Sequence, residues 1–231
     1  MLCRLCVSTF GRDMPSLKGS VVKAFESGAD LVEVRLDYLD ELDAETLASE
    51  LRPYMGKLVV ALRPEYEGGL FIGKEEERAE ILKRLAREGP AYVDVELRSP
   101  ISESLSKYLM RSGTPVIISW HDFEKTPETC ELRQVASLAM DSGNVAKVVT
   151  MAKSFGDNAR VLSLYNMGAQ DRLVAFCMGP EGVLSRFLSV LLGAPFMYVS
   201  LPGRPTAPGQ PSILEARELL RLLSLRLSGG R

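Results

Sequence analysis

Two side chains combine a reactive group with an unusual position in the sequence. Lys147 lies in the middle of the apolar run 145–149, where its side chain cannot easily reach water. An amine that is desolvated in this way favours its neutral form, and a neutral amine can attack a carbonyl carbon. His121, the only histidine of the chain, lies at the end of another apolar run and can act as a general acid/base near neutral pH. The pair indicates covalent catalysis at a carbonyl group.

Charged residues recur with a period of two in other apolar runs. Glu33, Arg35 and Asp37 alternate with valine and leucine in one run, and Asp94 and Glu96 do so in another. This spacing puts the charged groups on one face of a strand. Because unpaired charges are costly in a dry core, the face indicates a solvated site for a polyhydroxylated, anionic small molecule. Buried ion pairs are the structural alternative, which we weigh equally for Asp94 and Glu96.

The elements that must position these residues are short β-branched runs, each followed by a longer amphipathic stretch. Eight predicted strands cover residues 3–9, 31–38, 57–63, 92–98, 115–122, 145–152, 172–179 and 195–202. Eight predicted helices cover residues 16–27, 44–54, 74–88, 101–112, 127–142, 155–167, 180–192 and 211–227. The fifth helix is expected to begin with Thr126 as its N-cap and Pro127 in its first turn.

Strands that are joined through helices run parallel, and eight such units favour closure of the sheet. The sequence therefore predicts an α/β protein with a single (β/α)8 TIM-barrel domain over residues 1–231. An open doubly wound sheet is the alternative, but no Gly-x-Gly-x-x-Gly follows the first strand. In such barrels the catalytic groups lie at the carboxyl ends of the strands, where His121 and Arg63 fall.

The composition limits the classes of partner. The formal net charge is −2, and acidic and basic residues are interspersed, so no nucleic-acid surface is expected. No apolar run reaches the ~20 residues of a membrane helix, and residues 1–10 lack a signal-peptide layout, so we expect a cytoplasmic protein. Cys3 and Cys6 form a lone Cys-x2-Cys pair without a second pair, and no metal site is predicted.

Several motifs give the chain a resemblance to a known family. In chain order they are residues 33–37 (EVRLD), 62–63 (LR), 67–69 (EGG), 120–123 (WHDF), 146–148 (AKV), 178–186 (MGPEGVLSR) and 206–210 (TAPGQ). Over nearly its full length the chain resembles the type I 3-dehydroquinate dehydratases of the shikimate pathway. Thr206 departs from the serine that many relatives have, and the chain is shorter than bacterial members, so its loops over the pocket could close differently.

The resemblance implies a hydro-lyase (EC 4.2.1.10) that converts 3-dehydroquinate to 3-dehydroshikimate, the third step of aromatic amino-acid biosynthesis, without metal or organic cofactor. It implies that Lys147 forms a Schiff base with the ring ketone, that His121 moves the protons, and that Arg186 clamps the substrate carboxylate. Glu67 would orient His121, and Met178 would support the pocket. The further substrate-binding residues that it implies are Ser8, Glu33, Arg35, Arg63, Thr206 and Gln210.

Two other functions remain open from the sequence. A Schiff-base aldolase would share the barrel and the lysine, but it would need a phosphate cradle after strands seven and eight, where this chain has Arg186 and a Pro-Gly-rich loop. A non-catalytic barrel would need neither Lys147 nor His121. Family members are often homodimers, and the last predicted helix is apolar around much of its circumference, which suggests a dimer contact. Its leucines are Leu214, Leu219, Leu220, Leu222, Leu223, Leu225 and Leu227.

Overall fold

A computed structural model describes residues 3–228, with side chains up to residue 224. Within this part, eight strands and eight α-helices alternate along the chain. The strands, β1 to β8, are Arg4–Thr9, Leu31–Arg35, Leu58–Ala61, Tyr92–Glu96, Val116–Asp122, Val145–Met151, Leu173–Met178 and Phe196–Ser200. The helices, α1 to α8, are Met14–Glu26, Ala44–Leu51, Glu75–Ala86, Ser102–Arg111, Thr129–Ser142, Gly156–Leu162, Val183–Leu191 and Ile213–Ser228.

The strands form one parallel sheet in the order β7-β6-β5-β4-β3-β2-β1-β8. Such a sheet needs both faces covered, and its strands are accordingly buried almost throughout. Valine, leucine and alanine side chains on the outer face pack against the ring of helices. A second apolar cluster fills the barrel interior; it includes Leu31, Val59, Ile117, Val145 and Phe196. The sheet is a nearly closed barrel, and the predicted (β/α)8 fold is confirmed.

The second strand is shorter than predicted. It ends at Arg35, and Leu36–Tyr38 form a 3-10 turn instead of continuing the strand. The Asp37 carboxylate stabilises this turn, because it pairs with Arg35 over distances of 2.8 and 2.7 Å and accepts a bond from the main-chain N–H of Leu70. A buried carboxylate that binds a neighbouring loop thus ends the strand, although the alternating sequence pattern continues to Asp37.

The start of the fifth helix also differs from the prediction. The helix α5 begins at Thr129, with Glu128 at its N-cap position. Thr126 does not cap it. Its hydroxyl lies 2.8 Å from the Thr150 hydroxyl and donates to the Met151 carbonyl at 2.9 Å, so it holds the loop against the end of β6. The capping pattern was therefore a wrong prediction, since the tertiary partners compete for the same hydroxyl.

The last helix, α8, is amphipathic where its side chains are described. Ile213, Ala216 and Leu220 are buried against the barrel, whereas Leu214 and Leu222 are exposed. Leu225 and Leu227 of the predicted apolar surface lie outside the described side chains. Across residues 3–228, none of the helices is long and apolar enough to cross a membrane.

Candidate active site

A pocket opens at the carboxyl ends of the strands, and the structure brings all eleven predicted site residues to its wall. Parallel strands of one barrel end at the same rim, which is why residues far apart in sequence meet there. The predicted residues that line the pocket are Ser8, Glu33, Arg35, Arg63, Glu67, His121, Lys147, Met178, Arg186, Thr206 and Gln210. The pocket is also lined by Gly68, Phe123, Val149, Phe176, Tyr198 and Ala207.

Lys147 projects from β6 into the barrel and is 5% exposed. Its ammonium nitrogen lies 3.1 Å from a Glu33 oxygen, 3.1 Å from an Asp94 oxygen and 4.1 Å from the centre of the Tyr198 ring. The prediction that this amine has an apolar environment is therefore wrong, although the amine is buried. The strand neighbours of Lys147 are apolar, but β2 and β4 bring two carboxylates across the barrel to its head.

His121 lies near the end of β5, beside β6. Ser119 pairs in register with Lys147, so His121 lies two residues further toward the rim. Burial lowers the pKa of His121 well below its usual value, and the positive charges of Arg63 and Lys147 lower it further. The imidazole is therefore neutral at physiological pH. One nitrogen, Nδ1, lies 3.0 Å from a Glu67 oxygen, so the ring orientation is fixed by that carboxylate.

Glu67 reaches His121 from the 3-10 turn Glu65–Glu67 that follows β3. Its Oε2 atom accepts a second bond, 2.9 Å long, from the main-chain N–H of His121. Burial raises the pKa of Glu67 to about 7, and the charges of Arg63 and Arg98 oppose this rise. Gly68 closes the turn at φ +74°, and a Cβ atom there would lie 2.3 Å from the Phe123 ring. Glycine is required for the turn to pack beside the histidine.

Arg63 is at the centre of a buried charge network. Its guanidinium donates to both oxygens of Asp94, at 3.1 and 2.9 Å, to Glu96 at 2.8 Å and to the Ser119 hydroxyl at 2.6 Å. Burial opposes ionisation of Asp94, but Arg63 and Lys147 outweigh it and hold the pKa of Asp94 well below its usual value. Opposite charges alternate along the network, so each buried charge has a partner.

The network continues outward through a residue that the sequence did not indicate. Arg78 on α3 is completely buried, and its Nη1 atom donates to Glu96 and, at 3.2 Å, to the Leu62 carbonyl. The same guanidinium pairs with Glu75 at 2.7 Å. Asp94 and Glu96 do not line the pocket. They connect Arg78, Arg63 and Lys147, so both are ion-pairing residues that position the pocket wall.

Arg186 on α7 is in a very different environment. Its guanidinium is 1% exposed and lies 4.3 Å from the centre of the Phe176 ring. It donates one bond, 3.2 Å long, to the Pro208 carbonyl, while its Nε atom has no partner within residues 3–228. No carboxylate among the described side chains lies within 4.0 Å of it. Burial lowers the pKa of Arg186 to about 9. An unpaired buried cation in a pocket wall is suited to bind an anionic ligand.

The loop before α8 covers the pocket beside Arg186. The Gln210 side-chain oxygen accepts bonds from the main-chain N–H of Thr206 at 2.8 Å and from its hydroxyl at 3.0 Å. Gly209 has φ +69°, and a Cβ atom there would lie 2.4 Å from the Gly179 carbonyl oxygen. The loop therefore packs closely onto the end of β7 and presents Thr206 and Gln210 to the pocket.

Sequence reasoning missed Tyr198 and Phe176, which lie on β8 and β7. Both belong to the apolar cluster in the barrel interior, and Phe176 shares its face of β7 with Met178. Period-two alternation on these strands could have found them, but no charged residue marked either strand. The Tyr198 hydroxyl is buried without a hydrogen-bond partner among the described residues, and burial raises its pKa well above the usual value. The hydroxyl is therefore neutral, and the face of its ring lies against the Lys147 amine.

Comparison with known proteins gives the family. The profile of the family described as Type I 3-dehydroquinase matches residues 5–226. The chain belongs to this family. It is 43% identical over 211 residues to the 3-dehydroquinate dehydratase of Thermococcus gammatolerans, covering 90% of this chain and 94% of that protein. It is 34% identical over 223 residues to the 3-dehydroquinate dehydratase of Methanococcus maripaludis, covering 95% and 99%.

Solved structures of type I 3-dehydroquinase relatives share the barrel. The 3-dehydroquinate dehydratase of Aquifex aeolicus superposes with a TM-score of 0.81 at 28% identity, over 94% of this chain and 96% of that chain. A deoxyribose phosphate aldolase from Aeropyrum pernix gives a TM-score of 0.54 at 13% identity, over 95% and 90%, which shows only that the two folds are alike. The family assignment thus rests on sequence as well as on fold.

Proposed function

We propose that this member of the type I 3-dehydroquinase family dehydrates 3-dehydroquinate to 3-dehydroshikimate through an imine on Lys147. The observation that carries the proposal is that a buried amine and a neutral imidazole, that of His121, line the same pocket. Covalent catalysis at a ketone needs a nucleophile and a separate proton carrier, and these two side chains meet that need.

The unpaired guanidinium of Arg186 supports binding of an anionic substrate. A substrate carboxylate would give this buried cation the anionic partner that it lacks among the described side chains. The hydroxyls of the ring would face the polar wall formed by Ser8, Glu33 and Gln210. Binding at one end by charge and at the other by hydrogen bonds would hold the ring ketone toward Lys147.

Imine formation begins with loss of a proton from the Lys147 ammonium. The Glu33 carboxylate lies 3.1 Å from the nitrogen, so an acceptor is in place. The neutral amine adds to the ketone carbon, and the resulting carbinolamine loses water to give a protonated imine. The positive imine nitrogen then withdraws electrons from the adjacent carbon, which acidifies its C–H bond.

His121 supplies both proton transfers of the elimination. The neutral imidazole removes the proton from the carbon next to the imine, and the electron pair forms an enamine. The enamine then expels the hydroxyl on the next carbon, and the imidazolium protonates this leaving group, so that it departs as water. Hydrolysis of the remaining imine releases the product and restores the amine. Glu67 on Nδ1 supports this role, because it leaves the other ring nitrogen as the base.

A turnover assay with matched lysine variants tests the proposal. The wild-type protein is expected to convert 3-dehydroquinate to a product with ultraviolet absorbance from its new conjugated double bond. Lys147→Met should be inactive, whereas Lys153→Met, which changes an exposed lysine six positions away, should retain activity. Absence of turnover by the wild type, or cleavage of a sugar phosphate instead, would favour the aldolase alternative.

A dimer through α8 is also part of the proposal. Leu214 and Leu222 are 58% and 46% exposed on this helix, so their apolar side chains are available to contact a second copy of the chain. Sedimentation velocity should give twice the chain mass for the wild type and the single mass for Leu222→Glu. A monomeric wild type would exclude this contact.

A further inference from the structure

One oxygen of Glu67 is buried and has no hydrogen-bond partner in the part of the chain that the structure describes. The Oε2 atom binds the His121 ring and main chain, whereas no described donor lies within bonding distance of Oε1. The nearest cation to Oε1 is the Arg98 guanidinium, at 3.7 Å. This distance is too long for a hydrogen bond, yet it is short enough for a strong charge interaction in a partly buried setting.

Arg98 is held in this position by the segment that carries His121. It follows β4, and its Nη1 atom donates to the main-chain carbonyl of His121 at 3.2 Å. Its guanidinium also lies 4.7 Å from the centre of the Trp120 ring. The side chain is 44% exposed and is not among the residues that line the pocket. A single arginine thus contacts the main chain of the histidine and faces its carboxylate partner.

We propose that Arg98 is a positioning residue that favours the ionised form of the Glu67 carboxylate and thereby biases the proton position on His121. The inference rests on the proposed role of His121 as the proton carrier. An ionised carboxylate can only accept, so it holds a proton on Nδ1 and leaves Nε2 free to act as the base. A protonated Glu67 could donate to Nδ1 and would then favour the tautomer with its proton on Nε2, which cannot take a proton from substrate.

The charges around Glu67 determine the direction of the effect. Burial raises its pKa to about 7; Arg63 and then Arg98 lower it, Glu96 raises it, and the bond from the His121 main chain lowers it. Removal of the Arg98 charge therefore raises this pKa further. Because Arg98 is half exposed and screened by solvent, we expect a rise of roughly 0.5–1 pH unit. The carboxylate of the variant would be largely protonated at neutral pH.

The single histidine of the chain makes a direct test possible. In protein with 15N-labelled histidine, the ring nitrogen resonances report the His121 tautomer without overlap from any other histidine. The wild type should show a step near pH 7 that arises from Glu67, and Glu67→Gln should lack it. In Arg98→Met, which keeps the apolar stem over Trp120, the step should move to higher pH by roughly 0.5–1 unit.

Two control variants separate charge from packing. Arg98→Lys keeps the positive charge and should restore most of the wild-type titration. Arg111→Met removes an exposed arginine at the end of α4 and should leave the titration unchanged. An unmoved step in Arg98→Met, or a step that persists in Glu67→Gln, would overturn the inference.

Turnover provides the second readout. The acid limb of kcat/KM should move upward in Arg98→Met by the same amount as the NMR step, with a several-fold loss at pH 6.5 that disappears at pH 9. A loss of equal size at every pH would indicate a purely structural role and would overturn the inference. The NMR titration needs no substrate, so failure of the proposed reaction would be recognised separately, as absence of turnover by the wild type.

Discussion

The unpaired guanidinium of Arg186 should make the empty enzyme less stable than a variant without it. Burial lowers its pKa from the ordinary arginine value to about 9, and at 1.36 kcal/mol per pH unit this corresponds to roughly 5 kcal/mol of unfavourable desolvation. The stacking on Phe176 and the bond to Pro208 are already part of the native state and would be lost with the charge. We therefore expect Arg186→Met to increase the free energy of unfolding by about 1–3 kcal/mol.

The same variant should bind substrate poorly. Loss of a buried charge-assisted pair with the substrate carboxylate should cost about 2–5 kcal/mol, which raises KM by roughly 30-fold to several thousand-fold. For a chain of this size, the increase of about 1–3 kcal/mol in the free energy of unfolding of Arg186→Met corresponds to an increase in Tm of roughly 2–10 °C.

The assays for this variant are thermal unfolding without ligand and steady-state kinetics. Arg133→Met, an exposed arginine on α5, is the control and should change neither quantity. A destabilised Arg186→Met with an unchanged KM would show that the buried charge neither costs stability nor holds the substrate carboxylate.

Three further predictions concern the proton carrier, the charge network and metals. His121→Ala should lose roughly 10²–10⁴-fold in kcat yet still form the imine on Lys147, because water can carry protons slowly during imine formation, and single-turnover trapping would show this. Arg78→Met should lower the free energy of unfolding by about 3–5 kcal/mol, because it leaves Glu96 with one cationic partner fewer, and denaturant unfolding would measure the loss. Turnover should survive exhaustive chelation with EDTA, and restoration of lost activity by a divalent ion would contradict this expectation.

The sequence predicted the barrel because its strands are buried on both faces and separated by regular helical stretches. It could not predict where the second strand ends or where the fifth helix begins. The turn after Arg35 depends on Asp37 binding the main chain of Leu70, and the loop before α5 depends on Thr126 reaching β6. Both contacts join segments that are more than twenty residues apart, so no local pattern contains them.

The eleven predicted site residues line one pocket, but the charges around them were not predicted. Lys147 has apolar neighbours along β6, which suggested an apolar environment for its amine. The carboxylates beside it come from β2 and β4, and only the barrel geometry brings them together. The sequence of α3 is amphipathic and rich in charged residues, which is typical of an exposed helix. Arg78 on this helix is nevertheless completely buried, because Glu75 and Glu96 provide two carboxylate partners. Sequence periodicity indicates the face on which a residue lies, but it does not identify that residue's partners.

In the proposed mechanism, Lys147 forms the covalent bond to substrate. Borohydride reduction of the wild-type protein during turnover of 3-dehydroquinate, followed by peptide mapping, would locate this bond. We expect one modification that has the mass of the reduced imine, on the peptide containing Lys147, and no modification of Lys147→Met. Modification of Lys153, or no adduct on a wild-type protein that is turning over substrate, would exclude Lys147 as the nucleophile.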